Sequence, residues 1–290
     1  MPADPDILTF HDGRWQEGSV PVMRSADHGS WLGTLVFDGA RRFDGVAPDL
    51  AAHCERVNRS AEALGMRPAL ETGVIVERVR EGLERFAPTV AVYIRPMYWS
   101  TGYGAGFISA DPEGTDFCLC LQAIPMPDPD AAARLTTTRF ARPTLDVATV
   151  NAKAACLYPN NARMIREAID KGFTNALVTD ALGNVAESAT SNVFMARDGE
   201  VFTPIPNGTF LNGITRQRVI GLLREAGTIV HETTLTLEDF RAADEVFMTG
   251  NLAKVTPVSA FEEREYGIGP IARRARESYL DWARGPGARS

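Results

Sequence analysis

The sequence predicts an α+β protein made of two domains with a cleft between them. Its 290 residues exceed what a single hydrophobic core usually serves. Segments with strand periodicity and segments with helix periodicity are mixed along the chain. The proline-rich run at 125–130 suits neither a helix nor a central strand. We therefore predict an N-terminal α+β domain at 1–123, a linker at 124–134 and a C-terminal α+β domain at 135–290.

The N-terminal domain is predicted to open with a hairpin and to contain two helices. Asp12-Gly13 between two alternating runs is a strong short-range hairpin signal. Apolar residues at helical spacing predict helices at 48–64 and 70–86, with Gly65 ending the first. Further strands of this domain are predicted at 34–39, 41–45, 89–98 and 117–124.

The C-terminal domain is predicted to alternate strands with amphipathic helices. Its strands are predicted at 136–141, 175–180, 192–196 and 246–249. Its helices are predicted at 160–171, 215–226 and 237–242.

Charge and composition disfavour several classes of protein. Thirty basic and 37 acidic residues give a net charge of −7 and a pI near 5.3, so nucleic acid is not an expected partner. No run approaches the ~20 apolar residues of a membrane span. The four cysteines lack the spacing of a metal site or a disulfide framework. We expect a soluble, cytoplasmic protein without a metal site.

Lysine is scarce, which limits where amine chemistry can take place. The chain has three lysines, Lys153, Lys171 and Lys254. Lys153 is the one charged residue in the run Val-Asn-Ala-Lys-Ala-Ala-Cys-Leu-Tyr. Such a lysine is commonly a surface residue whose side chain snorkels to water. Here the small and apolar flanks also suit a desolvated amine, and the neutral amine is the nucleophile of Schiff-base chemistry.

Two further features of the C-terminal half offer charge or backbone donors. Glu187 lies between a Gly-Asn turn and a strand, where a lone carboxylate is commonly a solvated loop residue. Gly213 and Thr215 open an amphipathic helix. This is either an ordinary N-cap or a site for an anion such as phosphate, because the first N–H groups of a helix have no partner within it.

Seven segments, in one order along the chain, resemble class IV pyridoxal-phosphate aminotransferases. This fold is shared by branched-chain and D-amino-acid aminotransferases and by aminodeoxychorismate lyase. The matching segments are 36–41, 53–56, 93–96, Lys153 with Tyr158, Glu187 with Asn192, 213–216, and 243–250 ahead of 255–257. The resemblance covers nearly the whole chain. It implies a two-domain enzyme of fold type IV, like D-amino acid aminotransferase, with pyridoxal 5′-phosphate in the interdomain cleft.

The resemblance also implies which residues bind the cofactor. Lys153 is implied to attach covalently to the cofactor and then to move the proton between substrate and cofactor. Glu187 is implied to pair with the pyridine nitrogen, and Tyr158 to bond the phenolic oxygen of the ring. The residues implied to hold the phosphate or to pack on the ring are Arg56, Leu211, Gly213, Ile214, Thr215, Gly250 and Asn251.

The same resemblance also implies a set of substrate-binding residues. At and near this set, some residues of the chain differ from those usual in the family. The set is Phe37, Arg41, Tyr93, Arg95, Asn251 and Leu252. Tyr93 and Arg95 share one face of the strand at 89–98, which suits the lining of a cleft, although an exposed pair on an edge strand is the alternative. Asn251 stands where branched-chain enzymes usually have threonine, and Leu32 where they commonly have tyrosine. Lys254 stands where relatives often have an acid, and we expect it to face solvent.

The activity implied first is transamination between a branched-chain or hydrophobic amino acid and 2-oxoglutarate. Tyr-Ile-Arg-Pro at 93–96 is its main support. The departures at Leu32 and Asn251 keep open an (R)-selective amine transaminase that uses pyruvate or another oxo acid. D-amino-acid transamination and aminodeoxychorismate lyase chemistry are less favoured, as is a non-catalytic binding protein. We expect small-molecule amino donors and oxo-acid acceptors as partners, and a homodimer in which 31–32 and 103–106 reach the other subunit.

Overall fold

The computed structural model describes residues 6–285 and residue 288, and it divides the chain into two compact units. Of the described residues, the first unit contains 6–126, 151–156 and 288, and the second contains 127–150 and 157–285. Each unit combines one sheet with helices, which confirms the α+β class. Among the described residues, no helix combines the length and apolarity needed to span a bilayer.

The first unit is built on a six-stranded sheet. Its strands are β1 (Ile7–His11), β2 (Arg14–Glu17), β3 (Leu35–Phe37), β4 (Ala40–Arg42), β5 (Val92–Ser100) and β6 (Thr115–Ala123). They run in the order β2-β1-β6-β5-β3, with β4 also paired to β5, and all the pairs are antiparallel. The β1–β2 turn has Asp12 and Gly13 at positive φ, so the predicted Asp-Gly hairpin is confirmed.

Within 6–126, the first unit also has three helices and one 3₁₀ turn. They are α1 (His28–Trp31), α2 (Leu50–Ala63), α3 (Thr72–Leu83) and the 3₁₀ turn at Ala105–Phe107. The predicted helices at 48–64 and 70–86 are therefore confirmed. Gly65 follows α2 at a φ of 78°, a conformation that glycine adopts without a steric penalty. The buried face of α2 includes Cys54 and Val57 and also brings His53 and Ser60 inside the unit.

The second unit is built on a nine-stranded mixed sheet. Its strands are β7 (Ala133–Thr137), β8 (Asn175–Thr179), β9 (Val185–Ser188), β10 (Asn192–Arg197), β11 (Glu200–Pro204), β12 (Val230–Thr233), β13 (Glu245–Gly250), β14 (Lys254–Phe261) and β15 (Arg264–Glu265). The order is β12-β11-β10-β13-β14-β7-β8-β9, with β15 on β14. The pairs β11–β12, β7–β14 and β7–β8 are parallel.

Four helices accompany this sheet. They are α4 (Tyr158–Asp170), α5 (Ile214–Glu225), α6 (Leu237–Arg241) and α7 (Pro270–Arg284). A 3₁₀ turn at Ala155–Leu157 precedes α4. Met164 and Ala168 of α4 join a buried cluster with Ala176 and Val178 of β8. The backbone N–H groups of Ile271 and Ala272, in the first turn of α7, donate to the buried Glu245 carboxylate at 3.0–3.1 Å. A carboxylate at a helix N-terminus both accepts these bonds and complements the helix dipole.

The two units do not follow the predicted domain boundaries at every point. The break at 126/127 falls inside the predicted linker 124–134, but β7 begins at Ala133, also inside it. The segment 151–156, predicted within the C-terminal domain, belongs to the first unit. The reason is backbone pairing, because Val36 of β3 forms an antiparallel bridge with Ala154.

Candidate active site

Lys153 is fixed in the first unit through its backbone. The Lys153 carbonyl accepts from Phe37 N at 3.1 Å, and Lys153 N donates to Ser60 Oγ on α2 at 3.1 Å. Its neighbours Ala152 and Ala154 are buried, whereas Lys153 itself is half-buried. Its Nζ lies 5.0 Å from the centroid of the Phe37 ring. The amine is therefore partly shielded from water against an aromatic face, which does not fit the alternative of a snorkelling surface lysine.

A buried carboxylate next to β3 orients Arg56. Asp38 is fully buried, and its two oxygens accept from Arg56 Nε at 2.6 Å and Arg56 Nη2 at 2.8 Å. Oδ1 also accepts from His53 Nδ1 and from Gly39 N, both at 2.7 Å. Burial raises the pKa of Asp38, but the charge and hydrogen bonds of Arg56, followed by those of His53, outweigh burial and hold the pKa well below its usual range. The pair fixes a planar guanidinium whose fork geometry suits phosphate.

Arg41 is buried and anchors a neighbouring segment. Its Nη2 donates to the carbonyls of Ile124 and Pro125, both at 2.5 Å. Its Nε lies 2.8 Å from Met126 Sδ. Its Nη1 is a buried donor without a hydrogen-bond partner among the described residues, and the substrate role of Arg41 stays a prediction.

Tyr93 and Arg95 lie on the half-buried face of an interior strand. β5 has β6 on one side and β3 with β4 on the other, so the alternative of an exposed pair on an edge strand does not hold. The Arg95 guanidinium carbon lies 5.2 Å from the Tyr93 ring centroid, and Nη2 donates to Gln122 Oε1 at 3.4 Å. An arginine stacked on a tyrosine ring in this way has a restricted orientation.

The aromatic segments expected to reach another subunit lie in the first unit with exposed side chains. Trp31 and Tyr103 are 53% and 40% exposed, and their ring centroids are 6.4 Å apart. Leu32 is also exposed. The homodimer stays a prediction.

In the second unit, Glu187 on β9 is held by polar partners. Its Oε1 forms an ion pair with Arg142 Nη2 at 3.1 Å, and its Oε2 accepts from Asn192 Nδ2 at 3.1 Å. The Glu187 side chain is 12% exposed, so it is not a solvated loop charge. Arg142 is itself buried and donates to the carbonyls of Ser188 and Ala189 at 2.8 and 2.9 Å.

Arg142 is a site residue that the sequence analysis missed. Besides its contacts with the Glu187 strand, its Nη1 donates to Asn161 Oδ1 on α4 at 2.6 Å. The Arg142 backbone N–H donates to Thr179 O at the end of β8, which places the residue beside the strand pair β8–β9. Nothing local in Phe-Ala-Arg-Pro-Thr indicates these partners, since all of them are distant in sequence.

Tyr158 is the first residue of α4 and is half-buried. Pro159 follows it in the first turn of the helix. Proline lacks a backbone N–H, but an N–H at this position has no acceptor within the helix, and the fixed φ of proline favours the helical conformation. The Tyr158 ring is therefore attached to a well-defined helix start.

The start of α5 is a candidate anion cradle. Gly213 is the N-cap, and glycine has no side chain that could accept from the first N–H groups of this 12-residue helix. A Cβ on Gly213 would lie 2.2 Å from Asn192 Oδ1, which excludes any other residue without rearrangement. Asn192 Nδ2 also donates to Leu211 O at 3.0 Å. One asparagine thereby links Glu187 to the segment that leads into α5.

A second turn, after β13, lies next to this cradle. β10 and β13 pair with Asn192 opposite Thr249, and a Cβ on the following Gly250 would lie 2.9 Å from Ser191 Oγ. Thr249 Oγ1 and Asn251 Nδ2 are buried atoms without a hydrogen-bond partner in the part of the chain that the structure describes. Buried polar atoms are rarely left unpaired, so these two are candidate contacts for a ligand at this turn. Leu252, next in the turn, is exposed.

Lys254 contradicts the expectation that it faces solvent. It is 1% exposed, and its Nζ donates to Asn251 Oδ1 at 2.7 Å. The reason is its backbone, since a φ of 65° at the start of β14 turns the side chain back toward the preceding turn.

The predicted site residues are divided between the two units. The first unit holds Phe37, Arg41, Arg56, Tyr93, Arg95 and Lys153. The second unit holds Tyr158, Glu187, Leu211, Gly213, Ile214, Thr215, Gly250, Asn251 and Leu252.

Comparison with known proteins gives one family. The family model for Amino-transferase class IV matches residues 35–261. A putative branched-chain-amino-acid aminotransferase of Methanocaldococcus jannaschii is 33% identical, over 94% of this chain and 95% of that protein. The branched-chain-amino-acid aminotransferase of Pseudomonas aeruginosa is 29% identical, over 98% of this chain and 95% of that protein. The crystal structure of an aminotransferase from Brucella abortus bound to the cofactor PLP is 60% identical, covers 96% of this chain and 99% of that one, and has a TM-score of 0.95.

Proposed function

Because the chain belongs to the class IV aminotransferase family, we propose that it is a pyridoxal-phosphate-dependent transaminase with Lys153 as its catalytic amine. The observation that carries the proposal is the placement of Lys153, whose backbone is fixed on both sides and whose amine lies against the Phe37 ring. The cofactor is supported by the relative from Brucella abortus, which was crystallised with PLP.

The residues present fit a phosphorylated aldehyde with a basic ring nitrogen. The start of α5, where Gly213 offers no capping side chain, and the orphaned atoms of Thr249 and Asn251 suit the phosphate. The carboxylate of Glu187 suits a protonated ring nitrogen. When bound, pyridoxal phosphate supplies an aldehyde that captures amino groups and a ring that withdraws electrons from the substrate Cα.

Each remaining step is assigned to side chains of this chain. Lys153 Nζ would hold the cofactor covalently at rest and, once released, would take the proton from the substrate Cα. Glu187 would keep a proton at the ring nitrogen. The Tyr158 hydroxyl and Leu211 would hold the ring, and Arg56 would bind the phosphate with charge-assisted hydrogen bonds.

Arg142 is proposed as the residue that positions Glu187. Arg142→Met is therefore expected to lower kcat about 10²-fold, because a misplacement of about 1 Å near the reacting atoms has an effect of this size. The KM for the amino donor should stay within about twofold, because Arg142 does not contact substrate. Steady-state kinetics with both substrates measure the two constants. Arg139→Met removes an exposed arginine from the same loop and is the matched control. Equal kcat values for the two variants would contradict the positioning role.

We propose that the amino donor is a branched-chain or similar hydrophobic amino acid and that 2-oxoglutarate is the acceptor. The names of the two relatives support the donor, and the interior Tyr93–Arg95 face of β5 is the surface proposed to bind it. Leu32 and Asn251, where branched-chain enzymes commonly have other residues, favour the (R)-selective amine transaminase as the second candidate.

The half-reaction separates these candidates. The holoenzyme is mixed with one donor at a time, L-leucine, D-alanine or (R)-1-phenylethylamine, and the loss of the visible band of the bound cofactor is followed. The proposal predicts rapid loss with L-leucine, followed by recovery of the band on addition of 2-oxoglutarate. Loss with the arylalkylamine alone would overturn it in favour of the amine transaminase, and loss with D-alanine alone would favour a D-amino-acid enzyme. Release of pyruvate from aminodeoxychorismate would instead indicate the lyase.

A further inference from the structure

Lys254 has no role in the function proposed above, yet it contacts Asn251, whose orphaned amide nitrogen is assigned there to the phosphate. Lys254 is almost completely buried, its backbone is in the left-handed region at a φ of 65°, and its Nζ lies 5.7 Å from the centroid of the Tyr279 ring of α7. Burial of an ammonium group and a left-handed backbone at a non-glycine residue are both unfavourable. Their combination at the turn after β13 indicates a specific task.

The ammonium fixes which way the Asn251 amide points. A lysine side chain has donors and no acceptor, so the atom of Asn251 that lies 2.7 Å from Nζ is the carbonyl oxygen Oδ1. The amide nitrogen Nδ2 must then lie on the edge of the planar amide group that faces away from Lys254. That nitrogen is buried and has no acceptor among the described residues. A carboxylate at position 254 would have the opposite effect, because it would accept from Nδ2 and turn Oδ1 outward.

The surroundings of Nδ2 favour an anion as the missing acceptor. Gly250 approaches Ser191, and the neighbouring Asn192 contacts Gly213 at the start of α5, so the turn and the helix N-terminus lie at the same end of the second unit. Thr249 Oγ1, the second orphaned atom, is opposite Asn192 in the β10–β13 pairing. Helix N–H groups, an amide donor and a buried ammonium group together give a positive potential.

We propose that the Asn251 side-chain amide donates a hydrogen bond to the phosphate of the cofactor and that Lys254 is the positioning residue that holds the amide in this orientation. The inference rests on the proposed function, which already assigns the Asn251 amide to the phosphate, and adds to it the buried residue that orients this donor. An anionic group with the same chemistry, the substrate carboxylate, is the other possible acceptor, and the experiment is designed to separate the two.

The test measures the affinity of the apoenzyme for pyridoxal phosphate and for pyridoxal, which lacks the phosphate. Asn251→Ala is expected to weaken pyridoxal phosphate binding about tenfold or more, the usual effect of losing a hydrogen bond to a charged group. Asn251→Asp, which keeps the shape and the contact with Lys254 but replaces the donor with a negative charge, should weaken it further. Binding of pyridoxal should change less than twofold in both variants, which also shows that they are folded.

Lys254→Met tests the positioning role, and Lys171→Met, which removes the exposed lysine that follows α4 in the same unit, is the matched control. Lys254→Met should weaken pyridoxal phosphate binding several-fold, and Lys254→Glu should weaken it more than Lys254→Met. Wild-type affinity in Asn251→Asp would overturn the proposal, since the contact with Lys254 and not the donor would then matter. Unchanged cofactor affinity with a raised KM for the amino donor would overturn it in favour of the substrate carboxylate.

Inorganic phosphate separates this inference from the proposed function. The melting temperature of the wild-type apoenzyme should rise with inorganic phosphate, and Asn251→Asp should abolish the rise. If wild type binds phosphate in this way but never forms a visible band with pyridoxal phosphate, the proposed function fails while the anion site stands. If wild type forms the band and transaminates but Asn251→Asp behaves as wild type in both assays, the inference alone fails.

Discussion

Replacing Lys153 by alanine is expected to lower the rate of transamination by at least ~10³-fold, since the same amine holds the cofactor and moves the proton. The fold should persist, because the contacts of Lys153 with Phe37 N and Ser60 Oγ use backbone atoms that alanine keeps. The rate is measured in single turnovers with L-leucine. Circular dichroism and thermal unfolding should give curves that match those of the wild type.

Neither of the other lysines is placed to replace Lys153. Lys171 is exposed and its Nζ contacts Thr137 O and Glu167, and Lys254 is buried against Asn251 in the second unit. Lys171→Ala is therefore the control and should keep the wild-type rate. A Lys153→Ala enzyme that turns over within tenfold of wild type would remove the catalytic assignment.

The second large effect is expected at Asp38. Asp38→Asn should lower the free energy of unfolding by about 3–5 kcal/mol, because it leaves Arg56 and His53 without the buried carboxylate that both contact. It should also weaken binding of pyridoxal phosphate, since Arg56 loses the partner that orients it. Urea unfolding and cofactor titration measure the two effects. Glu113→Gln breaks an exposed ion pair with Arg67 and, as the control, should change stability by less than ~1 kcal/mol.

The effect of Asp38 depends on pH in a defined direction. The pKa of Asp38 is lower in the folded protein than in the unfolded chain, where it lies near ~3.9. Its contribution to stability is therefore fully present above the unfolded value and is lost as the pH falls through the folded value. Between about pH 5 and pH 3, the wild type should lose stability more steeply than Asp38→Asn. Parallel curves over this range would contradict the buried ion pair.

Local patterns predict most elements of the fold. The Asp-Gly turn, the apolar spacing of α2 and α3 and the alternation along β5 are properties of neighbouring residues, and the structure confirms each of them. The helix α7 was not predicted. Its buried stripe consists largely of alanines, and its start depends on the distant Glu245 carboxylate.

The site is predictable where a motif is local and less so where partners are remote in sequence. The family match confirms the resemblance on which the cofactor residues were chosen. Arg41 lies inside a matching segment, yet its partners at 124–126 give it a structural role that the segment does not reveal. Arg142 and the inward turn of Lys254 were missed for the same physical reason, since ion pairs and backbone pairing across strands leave no periodic signal.

The assignment of Lys153 as the amine that holds the cofactor is tested by reducing the holoenzyme with borohydride, which makes the link between cofactor and protein permanent. The reduced protein is then digested and mapped by mass spectrometry. We expect a pyridoxyl group on Lys153 at near-unit stoichiometry. A pyridoxyl group on Lys171 or Lys254, or on no lysine, would contradict this assignment.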